Sequence, residues 1–525
     1  MGNLCGFYDL NEKQYRDASE GVFAFETEAL LLRVFGNVRS GEAFNDGAAL
    51  SVLYAQFGLQ ITEHLNGAYL LLVFEKETGI FRVFQDRATS PVALYYTKVG
   101  DRLYLSSSLK ALLAASCMTC RLNEQAVEEF LVNGFLYGEA TLLEDVFKIK
   151  AYHCLSVENG LAGQFPVRYP KTEMTKGEAL DRFKPTLDCA IERCIADLDD
   201  VSFPLSSGYD SNYIAYVATK SKESATAFSV GGSRGKNEVP IVEKNAPYYP
   251  NLTLRTAATD GATLSHFPDI VWRLEGNVFE SGLFLQYELM NLVKKAGKST
   301  LVCGECADQI MNLHYHRKDR IYPQRPDEAP LYYEFSEYPY IFSSYLILKK
   351  NGILANSFGI ETRYPYLDED LISVCAPLGE ISRKDKRVHV ANCHACLPPE
   401  VIANMSKIGG STDCHSLFAS EDEIQSFFRR VERTAFFKAH KELIIRHSTE
   451  EKERQTGVTA LKTKIRNAAL SALHAGKNDS YYFEELKLRE YLCVVYLAVF
   501  ERLFVSGHSD FSAESCAQPF EAFFE

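Results

Sequence analysis

No apolar run in this 525-residue chain approaches the roughly 18 residues that a membrane-spanning helix needs. The longest, Ala68–Phe74, is strand length. A basic stretch followed by an apolar one is also missing from the start, MGNLCGFYDLNEK, so no signal peptide is read there. Gly2 does not open a myristoylation signal, because Gly6 stands where Ser or Thr is wanted. A cytosolic chain without membrane partners is expected. Positive charge is in deficit: the formal net charge is −13. That excludes a nucleic-acid binder held by a phosphate-neutralising surface, which needs clustered excess Lys and Arg. Internal repeats and low-complexity segments are absent too.

What is present is ordinary globular sequence. Hydrophobic residues make up 46% and charged residues 24%, enough to bury two cores, so the length predicts two domains, or three. The aromatics are 34 Phe and 29 Tyr with one Trp, Trp272. Fourteen Cys are too sparse for a disulfide scaffold and are expected to be reduced. Three pairs have CxxC spacing: Cys117/Cys120, Cys303/Cys306 and Cys393/Cys396. Two such pairs converging would make a zinc site. They lie far apart in sequence, so buried small hydrophobes are the expectation. His314 and His316 alternate as strand ligands would, but no third ligand follows, and solvated loop histidines are expected.

Residues 1–170 read as sheet built from hairpins and meanders. Short apolar or alternating runs recur at Gly67–Phe74, Ile80–Phe84, Ala93–Tyr96 and Leu103–Ser106. Helical spacing interrupts them at 46–57 and 123–134, each opened by an acidic residue or Asn. Near 170 the texture changes. A long amphipathic helix is predicted over 176–198, then strands alternate with helices: Val201–Leu205, a helix over Ser211–Lys220, Ala225–Val230, a helix after Glu238, Leu252–Arg255 and Ser299–Val302. That alternation implies a parallel sheet flanked by helices, with ligands beyond the C-terminal strand ends. From 410 onward the chain reads as helical, with a charged surface stretch at 438–465.

The most informative segment is Pro204-Leu205-Ser206-Ser207-Gly208-Tyr209-Asp210-Ser211. A strand enters a turn of small residues, then an acid, then a helix. Small residues let the backbone curl so that several N–H groups aim at one anion, and the helix N-terminus adds positive potential. Asp210 would hold Mg²⁺ against phosphate oxygens. The alternative is a tight strand–helix turn with an N-capping side chain.

Ser206–Ser211 resembles the SGGxDS pyrophosphate loop of the ATP-pyrophosphatase superfamily, with Ser207 in place of Gly. Over nearly the whole chain the resemblance is to the asparagine-synthetase family. Leu65–Tyr69, Gln85-Asp86-Arg87, Leu94–Tyr96 and Ser107–Leu113 are similar to its glutaminase domain, and Thr141–Val146 to the joining segment. Phe228-Ser229-Val230-Gly231 with Asn237-Glu238 follows the loop as in the family. Cys303-Gly304-Glu305-Cys306-Ala307-Asp308 resembles the GEGSD loop, and Ser357–Asp368 the GxExRxPFLD segment. Lys386, Leu397-Pro398 and Lys407–Gly410 resemble the closing lysines, although Val390 stands where a K-x-x-L-R element would place Arg.

The resemblance implies an α/β and α+β two-domain chain. In front, over 1–170, comes an Ntn-hydrolase-like αββα sandwich. Behind, over 171–525, comes an ATP-pyrophosphatase-type (adenine nucleotide α-hydrolase-like) parallel sheet with a helical extension. A glutaminase of this type uses an N-terminal Cys whose free amine is the base. Cys5-Gly6-Phe7 resembles that start, but four residues precede it. The segment from Cys5 to Asp46 is short, RGPD-like and NGEIYN-like elements are lacking, and Phe35–Arg39 is a remnant at best. The expectation is a glutaminase fold without glutaminase activity, as in the branch of β-lactam and carbapenam synthetases and lasso-peptide cyclases. Ser406–Gly409 resembles the carbapenam end; Glu305, where β-lactam enzymes carry Tyr, speaks against a β-lactam product.

The implied reaction is ATP-dependent amide formation through an acyl-adenylate, with a substrate amine as nucleophile. ATP would contact Leu205, Ser206, Ser207, Gly208, Asp210, Ser211, Ser229, Val230, Gly304 and Lys386. Asp210 and Asp308 would hold Mg²⁺. Lys407 would offset charge, and Glu305 or Glu361 would accept the amine proton. The substrate would be a small molecule or peptide bearing a carboxylate and an amine, with a homo-oligomer allowed. Residues 309–350, rich in Tyr, Arg and Lys, border the acceptor site in the family. Three other readings stay open: a glutamine-dependent amidotransferase after processing at Cys5, a sulfur-transferring ATP pyrophosphatase acting on tRNA, and a non-catalytic nucleotide-binding protein.

Overall fold

The computed structural model describes residues 2–40, 44–86, 92–150, 153–167, 174–233, 237–311, 348–378, 386–406, 414–444, 479–506 and 520–524. The expected boundary near 170, His314, His316, Lys407 and most of 309–350 and 438–465 lie outside them.

The front half holds two antiparallel sheets. The first has the order β2 (Gln14–Asp17), β1 (Cys5–Asp9), β8 (Arg102–Ser106), β7 (Tyr95–Val99), β9 (Phe147–Lys148). The second runs β11 (Leu161–Pro166), β10 (His153–Glu158), β6 (Phe81–Gln85), β5 (Asn66–Glu75), β4 (Leu30–Arg39), β3 (Phe23–Glu26). Period-two patterning predicts such strands, and β5 is buried over Tyr69–Phe74 because it is central. The sheets face each other through aromatic rings. Tyr8 and Tyr15 of the first pack on Phe74 and Phe81 of the second, with centroids 5.0–6.4 Å apart.

Helices cover the outer faces. The helix Gly47–Phe57 starts at Asp46, whose carboxylate accepts from the Ala49 N–H, and sets Tyr54 against Phe84. The helix Leu109–Ser116 lies on β7 and β8. The helix Glu124–Asn133 starts at Asn123 and stops at Gly134, which takes φ 76°, a left-handed conformation that suits glycine. The layering is αββα, as expected.

The rear half opens with the helix Lys176–Ile195, whose Thr175 and Glu178 form a reciprocal capping box. Strands β12 (Asp200–Pro204), β13 (Ser224–Gly232) and β14 (Leu252–Thr259) are parallel in that order. β15 (Thr300–Val302) pairs in parallel with β16 (Glu361–Arg363) and lies alongside β12. The helix Tyr209–Ser221 packs on β12 and β13, and the helix Leu283–Lys295 on β13 and β14. Toward the C-terminus the described residues are helical, including Glu421–Val431 and the long helix Asp479–Glu501. Among the described residues, no helix is long and apolar enough to cross a membrane.

Lys148 and Lys349 are buried with their ammonium groups on backbone carbonyls. Lys148 Nζ donates to the Leu136 carbonyl at 3.0 Å and Lys349 Nζ to that of Val92 at 2.7 Å. Burial depresses both, Lys148 to about 8 and Lys349 to about 7. Below pH 7 the folded and unfolded chains both carry these charges, and the burial penalty is complete. As pH rises the folded chain releases its protons first, while the unfolded chain holds them to about pH 10. Stability from these groups therefore increases between pH 7 and 9, by an amount on the order of 2 kcal/mol. Urea unfolding at pH 7, 8 and 9 checks this. Lys349→Met is expected to be the more stable protein at pH 7 and to flatten the slope.

Candidate active site

The turn leaving β12 is closed by its own side chains. Leu205 is buried and its N–H donates to the Phe228 carbonyl at 2.8 Å. Ser206 N–H donates to Ser211 Oγ at 3.0 Å, and Gly208 N–H to Ser206 Oγ at 3.2 Å. Ser207 N–H donates to Glu238 Oε2 at 2.8 Å. Asn212 Nδ2 then holds the Ser206 and Gly208 carbonyls at 2.9 and 2.7 Å. The sequence predicts that these N–H groups converge on an anion. Instead, all three are satisfied by side-chain oxygens, one of them a carboxylate. A partly buried backbone donor needs a partner, and here serine and glutamate oxygens serve. Ser229 and Val230 lie on β13, Ser229 fully buried, in the strand next to this turn.

The replacement of Gly by Ser207 has a use. Its Oγ donates to the Ser406 carbonyl at 2.6 Å, and the Ser406 N–H returns to the Ser207 carbonyl at 3.3 Å. The residue immediately before Lys407 is thereby clipped to the turn.

Behind the turn lies a charged cluster. Lys386 Nζ donates to Asp210 Oδ1 and Oδ2 at 2.8 and 2.6 Å and reaches Asp308 Oδ1 at 2.8 Å. His389 Nε2 is 3.2 Å from Asp210 Oδ1. His389 is fully buried, ringed edge-on by Phe183, Tyr213 and Tyr366. Tyr366 OH donates to the Asp210 carbonyl at 3.1 Å. Burial pushes the Asp210 carboxyl up, but the Lys386 ammonium and the His389 ring outweigh it and hold it down at about 2. Lys386 is raised: burial opposes its charge, and the two aspartates outweigh burial. Asp210 and Asp308 thus present three hard oxygens to one point, the donor set that Mg²⁺ favours.

Gly304 of the second loop lies against the turn. A Cβ there would sit 3.4 Å from Ser211 N and 3.6 Å from Asp210. Next to it, the Glu305 carboxyl is pushed up by burial, against opposing contributions from its backbone N–H and Lys350. Asn351 Nδ2 donates to Glu305 Oε1. Glu361 is engaged elsewhere: its Oε1 accepts from Asn37 Nδ2 of the front half and from Arg363 Nε at 2.7 Å.

Glu361 belongs to a seam between the halves. Arg193 Nε and Nη2 fork onto Asp368 at 3.1 and 2.6 Å, Arg39 of β4 reaches Asp368 at 3.6 Å, and Arg363 pairs with Asp197. A cavity along this seam is lined by Asn37, Arg39, Asn66, Arg193, Arg363 and Asp368. In the front half, Cys5 is the buried first residue of β1. Leu4 is buried with its N–H on Ser107 Oγ at 3.0 Å, and Asn3 pairs with Glu20. The Cys5 thiol is raised by burial.

Residues 39–166 match a glutamine amidotransferase domain and residues 182–340 an asparagine synthase domain. The chain belongs to the asparagine synthetase family. "Asparagine synthetase [glutamine-hydrolyzing] 1" of Bacillus subtilis (strain 168) is 23% identical over 291 residues, covering 51% of this chain and 44% of that protein. "Asparagine synthetase [glutamine-hydrolyzing] 3" of the same organism is 22% identical over 311 residues, covering 54% and 50%. The chain therefore spans about half the length of these relatives. A solved glutamine phosphoribosylpyrophosphate amidotransferase from B. subtilis aligns at 11% identity over 54% of this chain and 63% of that one, with a TM-score of 0.19.

Three residues of the cluster escape the sequence reading: His389, Tyr366 as a support for Asp210, and Glu238 as a cap on Ser207. His389 had a signal. It stands where the family's K-x-x-L-R element, counted from Lys386, would place Leu, so a polar residue takes an apolar position.

Proposed function

We propose that this chain forms amide bonds at the expense of ATP, activating a substrate carboxylate as an acyl-adenylate and then joining it to an amine of the substrate. The observation that carries the reading is the meeting of Asp210 and Asp308 on one ammonium beside the Ser206–Gly208 turn. Family membership supports the same class of chemistry. The whole protein divides, on this reading, near residue 170.

Mg²⁺ held by Asp210 and Asp308 would offset charge on the triphosphate oxygens. The turn of Leu205, Ser206, Ser207, Gly208 and Ser211, with Ser229, Val230 and Gly304 beside it, cradles the nucleotide. The substrate carboxylate oxygen attacks the α-phosphorus, and the bond to pyrophosphate breaks. The amine then attacks the acyl carbon, a proton passes to a base, and AMP leaves with its electron pair. Glu305 suits the role of base because burial raises its carboxyl above the usual carboxylate range. Glu361, fixed by Asn37 and Arg363, suits a positioning role. Lys407 would offset charge in the transition state; Ser406, the residue before it, is clipped to Ser207.

Release of ammonia from glutamine is disfavoured, because Asn3 and Leu4 are hydrogen-bonded in place ahead of a buried Cys5. ATP–pyrophosphate exchange tests the proposal. Exchange is expected with an amino-carboxylate substrate and no glutamine; its absence with every carboxylate tried, alongside steady glutamine hydrolysis, overturns the reading. Cys5→Ser is expected to leave exchange within about twofold of the parent, since Cys5 stands at the start of β1 in the front half, away from the Asp210–Asp308 pair.

A further inference from the structure

Lys386 donates from Nζ to both carboxylate oxygens of Asp210 and forms an ion pair with Asp308 Oδ1 at 2.8 Å. It is buried, and its backbone takes φ 55°, a left-handed conformation that non-glycine residues adopt at a cost. The anchoring of the side chain is what opposes that strain. A magnesium ion on the same oxygens would sit about 2.1 Å from them. An ammonium 2.6–2.8 Å from those oxygens cannot remain there beside it, because the two cations would share one small volume. A buried ammonium that leaves must also find other anions. The nearest candidates in the proposed reaction are the phosphate oxygens of the nucleotide.

Two features let the exchange proceed without collapse of the site. Asp210 keeps a second contact, His389 Nε2 at 3.2 Å, and its backbone carbonyl keeps Tyr366 OH at 3.1 Å. The carboxylate is therefore still oriented after the lysine departs. On the anion side the arrangement is mirrored, since Glu238 Oε2 occupies the Ser207 N–H that a phosphate oxygen would take.

We propose that Lys386 is a counter-ion latch: it closes the Asp210–Asp308 pair in the ligand-free protein and yields it to a divalent cation only when a nucleoside triphosphate supplies oxygens for the ammonium. Metal and nucleotide then bind with positive coupling, each poor alone. This rests on the proposed ATP-dependent reaction but concerns binding order, which can be read without turnover. Coupling between sites is typically 5–150-fold, and the latch predicts at least about tenfold.

Mn²⁺ binding to the full chain, followed by electron paramagnetic resonance, tests it with and without a non-hydrolysable ATP analogue. In the parent protein the analogue is expected to tighten Mn²⁺ at least tenfold. In Lys386→Met, Mn²⁺ without nucleotide is expected to bind at least tenfold tighter than in the parent, and the coupling to shrink. Lys386→Gln serves if Lys386→Met does not fold, and the parent measurement needs no variant. Equal Mn²⁺ affinity with and without the analogue, or no change on removing the lysine, overturns the latch. Coupled binding with no pyrophosphate exchange on any acid would instead overturn the proposed reaction and leave the latch standing.

Discussion

Asp210→Asn is expected to lower ATP–pyrophosphate exchange by 100-fold or more, on the scale of losing one preorganised electrostatic group, about 10²–10³. The carboxylate is where Lys386 and His389 converge, and the amide has neither its charge nor its second acceptor oxygen. The substitution keeps the side-chain volume, and it leaves the Asp210 carbonyl to receive Tyr366 OH. Lys386 retains Asp308, so its buried charge is still matched. Folding is therefore expected to survive, and thermal unfolding beside the exchange assay separates the two effects. Exchange within threefold of the parent would remove Asp210 from the reaction.

The largest effect on stability is expected at Asp368→Ala. This residue closes the segment that resembles the family's GxExRxPFLD motif, yet it does not join the Asp210 cluster. It takes the Arg193 fork, lies 3.6 Å from Arg39, and caps the helix Glu369–Cys375 by accepting from Asp370 N–H at 3.0 Å. Arg193 keeps Asp370 Oδ2 at 3.0 Å, so its charge is not left alone; losing the fork costs about 1.5–3 kcal/mol and losing the N-cap about 1 kcal/mol. The melting temperature should fall by several degrees. Arg39 belongs to the front half and Arg193 to the rear, so unfolding of the variant should also lose cooperativity between the halves. A melt indistinguishable from the parent would show that the seam carries no stability.

The same motif shows why function is hard to read from a string. Glu361, Arg363 and Asp368 serve the seam, whereas Tyr366, an uncharged residue between Arg363 and Asp368, steadies Asp210. Strand and helix alternation, read along one segment, does not say which side chain crosses to which partner. Gly304 and Ser207 are further examples. Gly304 lies against the turn, a Cβ there falling 3.4 Å from Ser211 N, and Ser207 donates to the carbonyl of Ser406, 199 positions away.

Sequence alone determined the layers. Alternating apolar residues made two antiparallel sheets of the front, capped helices began where Asp46, Asn123 and Thr175 could accept backbone N–H groups, and strand–helix alternation made the rear sheet parallel. These follow from local periodicity and local hydrogen bonding, which neighbouring residues settle among themselves. Only the tertiary structure decided what the charges do. Lys386 and Asp308 are 78 positions apart, and Lys386 and Asp210 are 176 apart. Their energies depend on separation and on exclusion of water, and both are set by how the elements pack.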